Sequence, residues 1–175
     1  MIYFVRHGES EANVRKVFAG QRDDSVLTDK GRAQARETAR ALREEGIQVD
    51  RIVASSLQRA FETARIIAEE IEHERDIDVD DRIMEYDMGE MTGTPHHAAT
   101  SLEMVSSPGA EDTQSFHDRV RTCVEELAQS PENILIVSHA GVGRMLETIR
   151  DGRDVKLFYD LAPWPNASVT KIDWI

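Results

Sequence analysis

Two short apolar runs, each followed by a histidine, constrain the fold of this chain more than any other feature. Residues 2–6 read Ile-Tyr-Phe-Val-Arg and lead into His7, while residues 134–138 read Ile-Leu-Ile-Val-Ser and lead into His139. Continuous apolar runs of this length are typical of strands that are buried on both faces of a parallel sheet. Residues 51–55, Arg-Ile-Val-Ala-Ser, predict a shorter strand of the same kind.

Helical patterns lie between these predicted strands. A helix is predicted from an N-cap at Thr28 to a stop at Gly46, with an inner face of Gly31, Ala35, Ala39 and Leu42. A second helix after Ser55 is predicted from an apolar stripe made of Leu57, Ala60, Phe61, Ala64, Ile67 and Ile71. A third helix begins near Thr113, with inward positions at Phe116, Val120, Val124 and Leu127, and a fourth follows Gly141.

Strands that alternate with helices predict one α/β domain over residues 1–175. We expect a three-layer sandwich in which a mostly parallel central sheet carries helices on both faces. Residues 92–108 read as a loop or a weak helix, and a closing strand is predicted over residues 167–175. The partial glycine pattern Gly141-Val-Gly143 lacks the third glycine of a dinucleotide-binding motif and is weak evidence for one.

Charge and composition narrow the classes of function. The net charge of −12 argues against a protein that binds nucleic acid or anionic membranes, since such proteins carry basic surfaces. The chain has no apolar run long enough to span a bilayer and no signal-peptide pattern, and its lone cysteine, Cys123, sits at core spacing on a helix. We therefore expect a cytoplasmic protein without disulfides. A phosphate ligand would need a local cationic pocket to overcome the overall negative charge.

The ends of the predicted strands provide such a pocket. Ligands of open α/β sheets bind at the carboxyl ends of the strands, where Arg6, His7 and His139 are placed by the sequence. Arg59 lies in the first turn of the helix that follows the third strand, off its apolar stripe. Helix N-termini at the same edge attract anions. The sequence therefore predicts a phosphate site where two arginines and two histidines converge.

Each of these residues also has a simpler interpretation. Taken alone, Arg59 would be a solvated charge on a helix surface, and His139 a hydrogen-bonded residue at the end of a strand. The remaining histidines have no comparable placement and are predicted to lie on the surface; they are His73, His96, His97 and His117. His96 and His97 are adjacent in sequence, which makes a metal site there improbable.

The motifs resemble those of the histidine phosphatase superfamily, the phosphoglycerate mutase-like proteins, over nearly the whole chain. Arg6-His7-Gly8-Glu9-Ser10 with Asn13 matches the family signature. Similar matches follow in family order: Leu27-Thr28 with Gly31, Ser55-x-Leu57-x-Arg59-Ala60, Glu85-x-x-x-Gly89-Glu90, Glu111 with Arg119-Val120, Ser138-His139-x-Gly141-Val142, and Asn166-Ala167-Ser168-Val169. The chain departs from the family pattern at Val26, Ser56, Thr92 and Ala140, which is expected to alter the rim of the site and its selectivity.

The resemblance implies a mechanism. A neutral His7 would attack phosphorus, while Arg6, Arg59 and a protonated His139 hold the phosphoryl oxygens and Asn13 contributes to phosphate binding. Glu85 would protonate the leaving group and then deprotonate the water that hydrolyses the phosphohistidine. Neither a metal nor an organic cofactor is expected.

The resemblance also bears on the reaction and its substrate. Family mutases carry long insertions over the site, and the stretch between Gly93 and Pro108 is short, so hydrolysis of a phosphomonoester is predicted. A mutase-type phosphotransferase, a phosphatase of protein phosphohistidine and a non-catalytic phosphate-binding protein remain alternatives. The substrate is expected to be a small phosphorylated metabolite or a phosphoprotein. Arg15, Arg22, His96 and His97 are candidates for the rim of the site.

Overall fold

The fold is built on one five-stranded, mostly parallel sheet. The computed structural model describes residues 1–174, apart from the side chain of Ala98. The strands are β1 Ile2–Arg6, β2 Arg51–Ala54, β3 Asp78–Val79, β4 Ile134–Ser138 and β5 Val169–Ile172. Their order in the sheet is β3-β2-β4-β1-β5, and every neighbouring pair is parallel except β1 with β5. The predicted α/β class and mostly parallel sheet are confirmed.

Helices connect the strands and cover both faces of the sheet. The helices are α1 Glu11–Arg15, α2 Asp29–Glu44, α3 Gln58–Glu70, α4 Ser101–Val105, α5 Thr113–Ala128 and α6 Ala140–Asp151. Short 3₁₀ turns occupy Asp81–Ile83, Gly89–Met91, His96–Ala98 and Val155–Asp160. No helix in residues 1–174 has the length and apolar character needed to cross a membrane.

Alternating side chains of the strands face two separate cores. Phe4 and Ile136 point toward α5 and α6, whereas Val5 and Val137 point toward α2 and α3. The first core includes Tyr86, Phe116, Phe158 and Met145; the second includes Leu42, Ala64 and Ile67. Because both faces of the sheet are covered, the continuous apolar runs of β1 and β4 are buried as predicted.

Several local predictions hold and some need correction. Thr28 caps α2 by accepting a hydrogen bond from the Gly31 N–H at 3.0 Å, and Cys123 is a buried core residue. Phe61 was predicted on the inner face of α3, but its side chain is 37% exposed. The predicted positions Ala60 and Ala64 are buried, and Thr63 joins them on the inner face in place of Phe61, because α3 packs against α2 as well as against the sheet.

The two irregular predictions are resolved in part. Residues 92–108, predicted as loop or weak helix, contain one 3₁₀ turn and the five-residue α4. The closing strand is shorter than the predicted 167–175, and residue 175 lies outside the described residues. Ala167 precedes the strand with a positive φ of 57°, and its N–H binds the Arg6 carbonyl at 2.8 Å. This turn delays the start of β5 until Val169.

Candidate active site

The carboxyl ends of β1 and β4 place two histidines side by side. In the parallel register Arg6 lies opposite Ser138, so the next residues, His7 and His139, leave the sheet together. Their ring centroids are 5.2 Å apart, and the residues are only 4% and 0% exposed. The predicted proximity of the two histidines is observed.

Hydrogen bonding fixes the tautomer of His7. Its Nδ1 lies 2.7 Å from the Gly8 carbonyl oxygen, which can only accept, so Nδ1 carries the proton and Nε2 keeps its lone pair. Burial, and then the positive charges of Arg59 and Arg6, lower the pKa of His7 well below its usual value. His7 is therefore a neutral imidazole with a free nitrogen, which is the form a nucleophile needs.

The turn after β1 is held by close backbone packing. A Cβ on Gly8 would lie 2.4 Å from the Gly31 carbonyl oxygen, so only glycine lets this turn approach the start of α2. The Gly8 N–H donates to Thr63 Oγ1 at 3.1 Å, and the Thr63 hydroxyl donates to the Arg59 carbonyl at 2.7 Å. The His7 turn and the first turn of α3 are thereby joined.

Two arginines approach His7 without carboxylate partners. Arg59 is 1% exposed and donates to the carbonyl oxygens of Asp23 and Gly20 at 3.0 and 2.8 Å. The half-buried Arg6 donates to the Trp164 carbonyl at 2.7 Å, and its Nε is buried without a partner in the described chain. No carboxylate of residues 1–174 lies within 4 Å of either guanidinium.

Burial lowers the pKa of both guanidinium groups, and Glu85 is the largest attractive charge acting on each. Arginine stays protonated even when its pKa falls, so Arg6 and Arg59 keep their charges inside the protein. A buried charge is costly unless it is paired. Two oriented guanidinium groups that lack a carboxylate in direct contact, beside a neutral imidazole, therefore form a strong site for an oxyanion.

The surroundings of His139 favour a neutral imidazole in the free site, whereas its predicted protonation concerns the site with a phosphoryl group bound and stays a prediction. Burial, followed by the positive charge of Arg59 and the nearby His7, lowers the pKa of His139 well below its usual value. Its Nε2 is 2.7 Å from the Ser55 hydroxyl, which also accepts from the Leu57 N–H. The other nitrogen, Nδ1, is buried without a partner among the described residues. A dianion in the site would supply the charge that favours protonation.

Glu85 reaches the same edge from the irregular segment after β3. Its Oε2 accepts from the Gly141 N–H at 3.1 Å and its Oε1 from the Tyr86 N–H at 2.9 Å, which places the carboxylate at the N-terminus of α6. The Glu85 carbonyl accepts from Gln21 Nε2 and from Arg119 at 2.8 and 3.0 Å. Arg119 also holds the neighbouring carbonyls of Arg82 and Met84.

We expect Gly141→Ala to lower kcat by about 10²-fold, because a misplacement of about 1 Å in a reacting group can cost that much. The new Cβ would lie 2.0 Å from Glu85 Oε1 and 3.0 Å from its Cδ, so the carboxylate must move. Steady-state kinetics with an aryl phosphate, together with the Kd for vanadate, would measure the effect. The Kd should change little, since Arg6 and Arg59 are untouched.

The control is a double-mutant cycle with Glu85→Gln. If alanine at position 141 acts by moving Glu85, it should cost nothing further once the carboxyl group is gone. An undiminished effect of Gly141→Ala in the Glu85→Gln background would show that the substitution acts elsewhere in the fold.

Asn13 completes the inner part of the site. Its side-chain oxygen accepts from the Ser10 N–H at 3.0 Å and from Asn166 Nδ2 at 3.2 Å. Asn166 also donates to the His7 carbonyl at 2.9 Å. With its oxygen engaged twice, Asn13 has its amide nitrogen left as a donor for a ligand in the cleft that it lines.

The cleft contains residues that the sequence did not indicate. It has about 580 Å³ of empty space, counting its opening to solvent, and its walls include Arg144, Tyr159 and Phe18. Arg144 lies one helical turn after Ala140, and both line the cleft, so helical spacing from the second histidine motif was the available signal.

The expected rim is present only in part. His96 lines the cleft and packs edge-on against Phe18 with ring centroids 5.0 Å apart. Arg15 and Arg22 form ion pairs with Asp23 and Asp87 instead, at 2.6 and 2.9 Å, and are not among the cleft residues. His97 is exposed outside the cleft, while His73 and His117, predicted on the surface, are half-buried.

Other concave regions lack this chemistry. A larger groove at the opposite edge of the sheet is lined by residues 46–50 and 71–75, with Arg43 beside them. Within residues 1–174 no group of three or more His, Cys, Asp or Glu side chains is arranged to hold a metal ion. The strand-end cleft is thus where the titratable groups and the unpaired cations meet.

The lowered pKa of His7 makes a prediction about pH. Because the nucleophilic form is the neutral one, kcat/KM should not fall through His7 protonation at pH 6.5, the usual histidine value, but only well below it. In ¹⁵N NMR spectra at pH 6, the His7 ring should remain the neutral Nδ1–H tautomer. A His7 ring that titrates at or above pH 6.5 in the free protein would contradict this.

Comparisons with known proteins agree with the geometry. The profile of the histidine phosphatase superfamily (branch 1) matches residues 2–175. A probable phosphoglycerate mutase, GpmB, of Enterobacter sp. strain 638 is 36% identical over 163 residues, which cover 85% of this chain and 74% of that protein. A putative phosphoserine phosphatase 2 of Hydrogenobacter thermophilus is 32% identical over 184 residues, covering 98% and 88% of the two chains.

Solved structures share the fold. Bacillus stearothermophilus YhfR superposes with a TM-score of 0.81 at 26% identity, covering 98% of this chain and 91% of that one. A mycobacterial glucosyl-3-phosphoglycerate phosphatase in complex with VO₃ gives a TM-score of 0.78 at 26% identity, covering 96% and 88%. The similarity therefore extends over the whole sheet and the helices that cover it.

Proposed function

This chain belongs to the histidine phosphatase superfamily, and we propose that it hydrolyses phosphomonoesters through a phosphohistidine intermediate on His7. One observation carries the proposal. A neutral histidine with a free Nε2 lies beside two guanidinium groups, of Arg6 and Arg59, that no carboxylate of residues 1–174 neutralises. Positive charges fixed around a nucleophile stabilise the negative charge on the oxygens of a phosphoryl group that is being transferred.

In the first step, His7 Nε2 attacks phosphorus and the bond from phosphorus to the ester oxygen breaks. Arg6, Arg59 and Asn13 hold the phosphoryl oxygens, on which negative charge is spread in the transition state. A protonated Glu85 carboxyl gives its proton to the departing oxygen, so an alcohol leaves. His7 keeps its Nδ1 proton during this step. The hydrogen bond from Nδ1 to the Gly8 carbonyl oxygen stabilises the positive charge that develops on the ring.

In the second step, water attacks the phosphohistidine. The Glu85 carboxylate, left without its proton, accepts one from the water as the new oxygen–phosphorus bond forms and the nitrogen–phosphorus bond breaks. Inorganic phosphate and neutral His7 result, and Glu85 is protonated again. The N–H groups of Gly141 and Tyr86 keep the carboxyl group in place through both steps.

A phosphoglycerate mutase-type transfer is the second candidate. It is favoured by the 36% identity to a probable phosphoglycerate mutase. Against it stands the short segment between Gly93 and Pro108, whose only α-helix in the described chain is the five-residue α4. Hydrolysis needs water at the phosphohistidine, and a small cover over the cleft permits its entry.

A panel of phosphomonoesters tests the proposal. The panel would contain phosphoserine, 3-phosphoglycerate, an aryl phosphate and a phosphohistidine peptide, with products followed by ³¹P NMR. We expect release of inorganic phosphate and no exchange between 3-phosphoglycerate and 2-phosphoglycerate. Exchange without phosphate release would favour the mutase, and saturable binding without turnover would favour a phosphate-binding protein.

A further inference from the structure

A third cleft arginine takes no part in the two steps above. Arg144, on α6, is only 7% exposed and lines the cleft together with Arg6 and Arg59. Its Nε donates to the Leu161 carbonyl at 2.7 Å, and its guanidinium carbon lies 3.9 Å from the centre of the Tyr159 ring. Stacking and a carbonyl orient the charge without neutralising it.

Arg144 also lacks an acidic partner in the described part of the chain, since no carboxylate lies within 4 Å of it. Scarcity of acids is not the reason, because the chain carries 33 acidic residues against 21 basic ones. Surface arginines of the same chain do form ion pairs; Arg150, on the same helix, pairs with Asp151 at 2.7 Å. An arginine that is buried and unpaired in so acidic a chain is well suited to an external anion.

The charge of Arg144 acts on the same cleft as the phosphate-binding arginines. It contributes to lowering the pKa of Arg6, after the larger effect of burial, and it also acts on His96 and Tyr159 at the mouth. One phosphoryl group beside His7 would engage Arg6 and Arg59. Arg144 then remains as a separate cation, on the wall formed by α6 and Tyr159.

We propose that Arg144, held against Tyr159 and the Leu161 carbonyl, binds a second anionic group of the substrate, namely a carboxylate close to the phosphate ester. The planar fork of a guanidinium matches a carboxylate. The substrates are then phosphorylated hydroxy acids or amino acids rather than simple phosphomonoesters. This assignment rests on the proposed hydrolytic function and adds the substrate class and the residue that selects it.

The test compares substrates that differ by one carboxylate. Phosphoserine and phosphoethanolamine share a phosphate ester and an ammonium group, and only the first has a carboxylate. Loss of a charge-assisted hydrogen bond predicts that Arg144→Gln lowers kcat/KM for phosphoserine by roughly 10–10²-fold. The value for phosphoethanolamine should stay within about threefold. Arg150→Gln, on the exposed side of α6, is the matched control and should leave both values unchanged.

A second arm separates a carboxylate from a second phosphate. Glycerol 3-phosphate is compared with 3-phosphoglycerate and with glycerol 1,3-bisphosphate. The carboxylate assignment would be overturned if wild-type kcat/KM were higher for the bisphosphate than for glycerol 3-phosphate, but not for 3-phosphoglycerate, and if Arg144→Gln removed that difference. Equal losses for phosphoserine and phosphoethanolamine would overturn the subsite itself, since Arg144 would then act only through the fold.

A binding measurement keeps this inference distinct from the proposed function. In a His7→Ala background, calorimetry should show that phosphoserine binds more tightly than phosphoethanolamine and that Arg144→Gln removes the difference. If phosphoserine binds more tightly in this way but the wild-type protein shows no turnover, the subsite is upheld and hydrolysis is rejected. Turnover by the wild type with equal binding of the two ligands would reject the subsite alone.

Discussion

Replacing His7 with alanine is expected to lower kcat for every phosphomonoester by at least about 10⁴-fold, because the residue that forms the covalent intermediate is lost. The methyl group of alanine cannot attack phosphorus, and the Nε2 of the neighbouring His139 is held by the Ser55 hydroxyl at 2.7 Å. The phosphate-holding arginines remain, so binding of inorganic phosphate should persist. Stopped assays with an aryl phosphate and titration with phosphate would measure both effects.

The matched control for this variant is His97→Ala. His97 is exposed and lies outside the cleft, so its removal should leave kcat within about twofold. If His7→Ala retained more than a hundredth of wild-type kcat with a folded, phosphate-binding protein, the nucleophile would have to be another group.

Arg59→Ala is expected to lower kcat/KM by roughly 10²–10³-fold, the usual effect of removing one donor that stabilises an oxyanion. The loss should exceed that from a surface arginine because Arg59 is buried and held by the carbonyls of Gly20 and Asp23. Arg59→Lys should recover only part of the rate. A lysine keeps the charge but cannot reach both carbonyls and the phosphate with one nitrogen.

Folding must be separated from chemistry in this case, since the Gly20 and Asp23 carbonyls lose their donor and each can cost about 1–3 kcal/mol of unfolding free energy. Denaturant unfolding of each variant would identify that cost. Arg65→Ala, on the exposed side of α3 and paired with Glu69, is the control and should leave kcat/KM unchanged. A fully folded Arg59→Ala protein with wild-type kcat/KM would remove Arg59 from the site.

The layout of the sheet was predictable because the burial of a strand determines which of its residues are apolar. Strands covered on both faces must be apolar throughout, and β1 and β4 are. Parallel strands send their carboxyl ends to one edge, so His7 and His139 could be placed together before their register was known. The sequence pattern could not show which helix face packs on α2 as well as on the sheet, and Phe61 was misplaced for that reason.

The outer half of the cleft depends on contacts between distant irregular segments. Tyr159 lies on the 3₁₀ turn Val155–Asp160, which packs on α4 and α6. Nothing periodic marks this segment, so neither Tyr159 nor its stacking with Arg144 was predicted. The lowered pKa of His139 in the free site could not be predicted either, because it depends on complete burial and on nearby cations rather than on residue type.

Glu85 illustrates a third case. The family resemblance indicated it, whereas the chain around it has no periodic pattern. Its position is set by Arg119, which donates to the carbonyls of Met84 and Glu85, and by the absence of a side chain at Gly141. These are tertiary contacts between residues more than 30 positions apart. Local sequence rules cannot specify such contacts, even when the residue itself is found.

The most direct test of the account is to trap the enzyme during turnover. The protein would be mixed with excess substrate, quenched in alkali within milliseconds, digested and mapped by mass spectrometry. We expect a phosphoryl group on the peptide that contains His7, absent in His7→Ala and lost in mild acid, as a phosphorus–nitrogen bond requires. Turnover with no phosphorylated peptide, or with the phosphoryl group on His139, would contradict the assignment of His7 as the nucleophile.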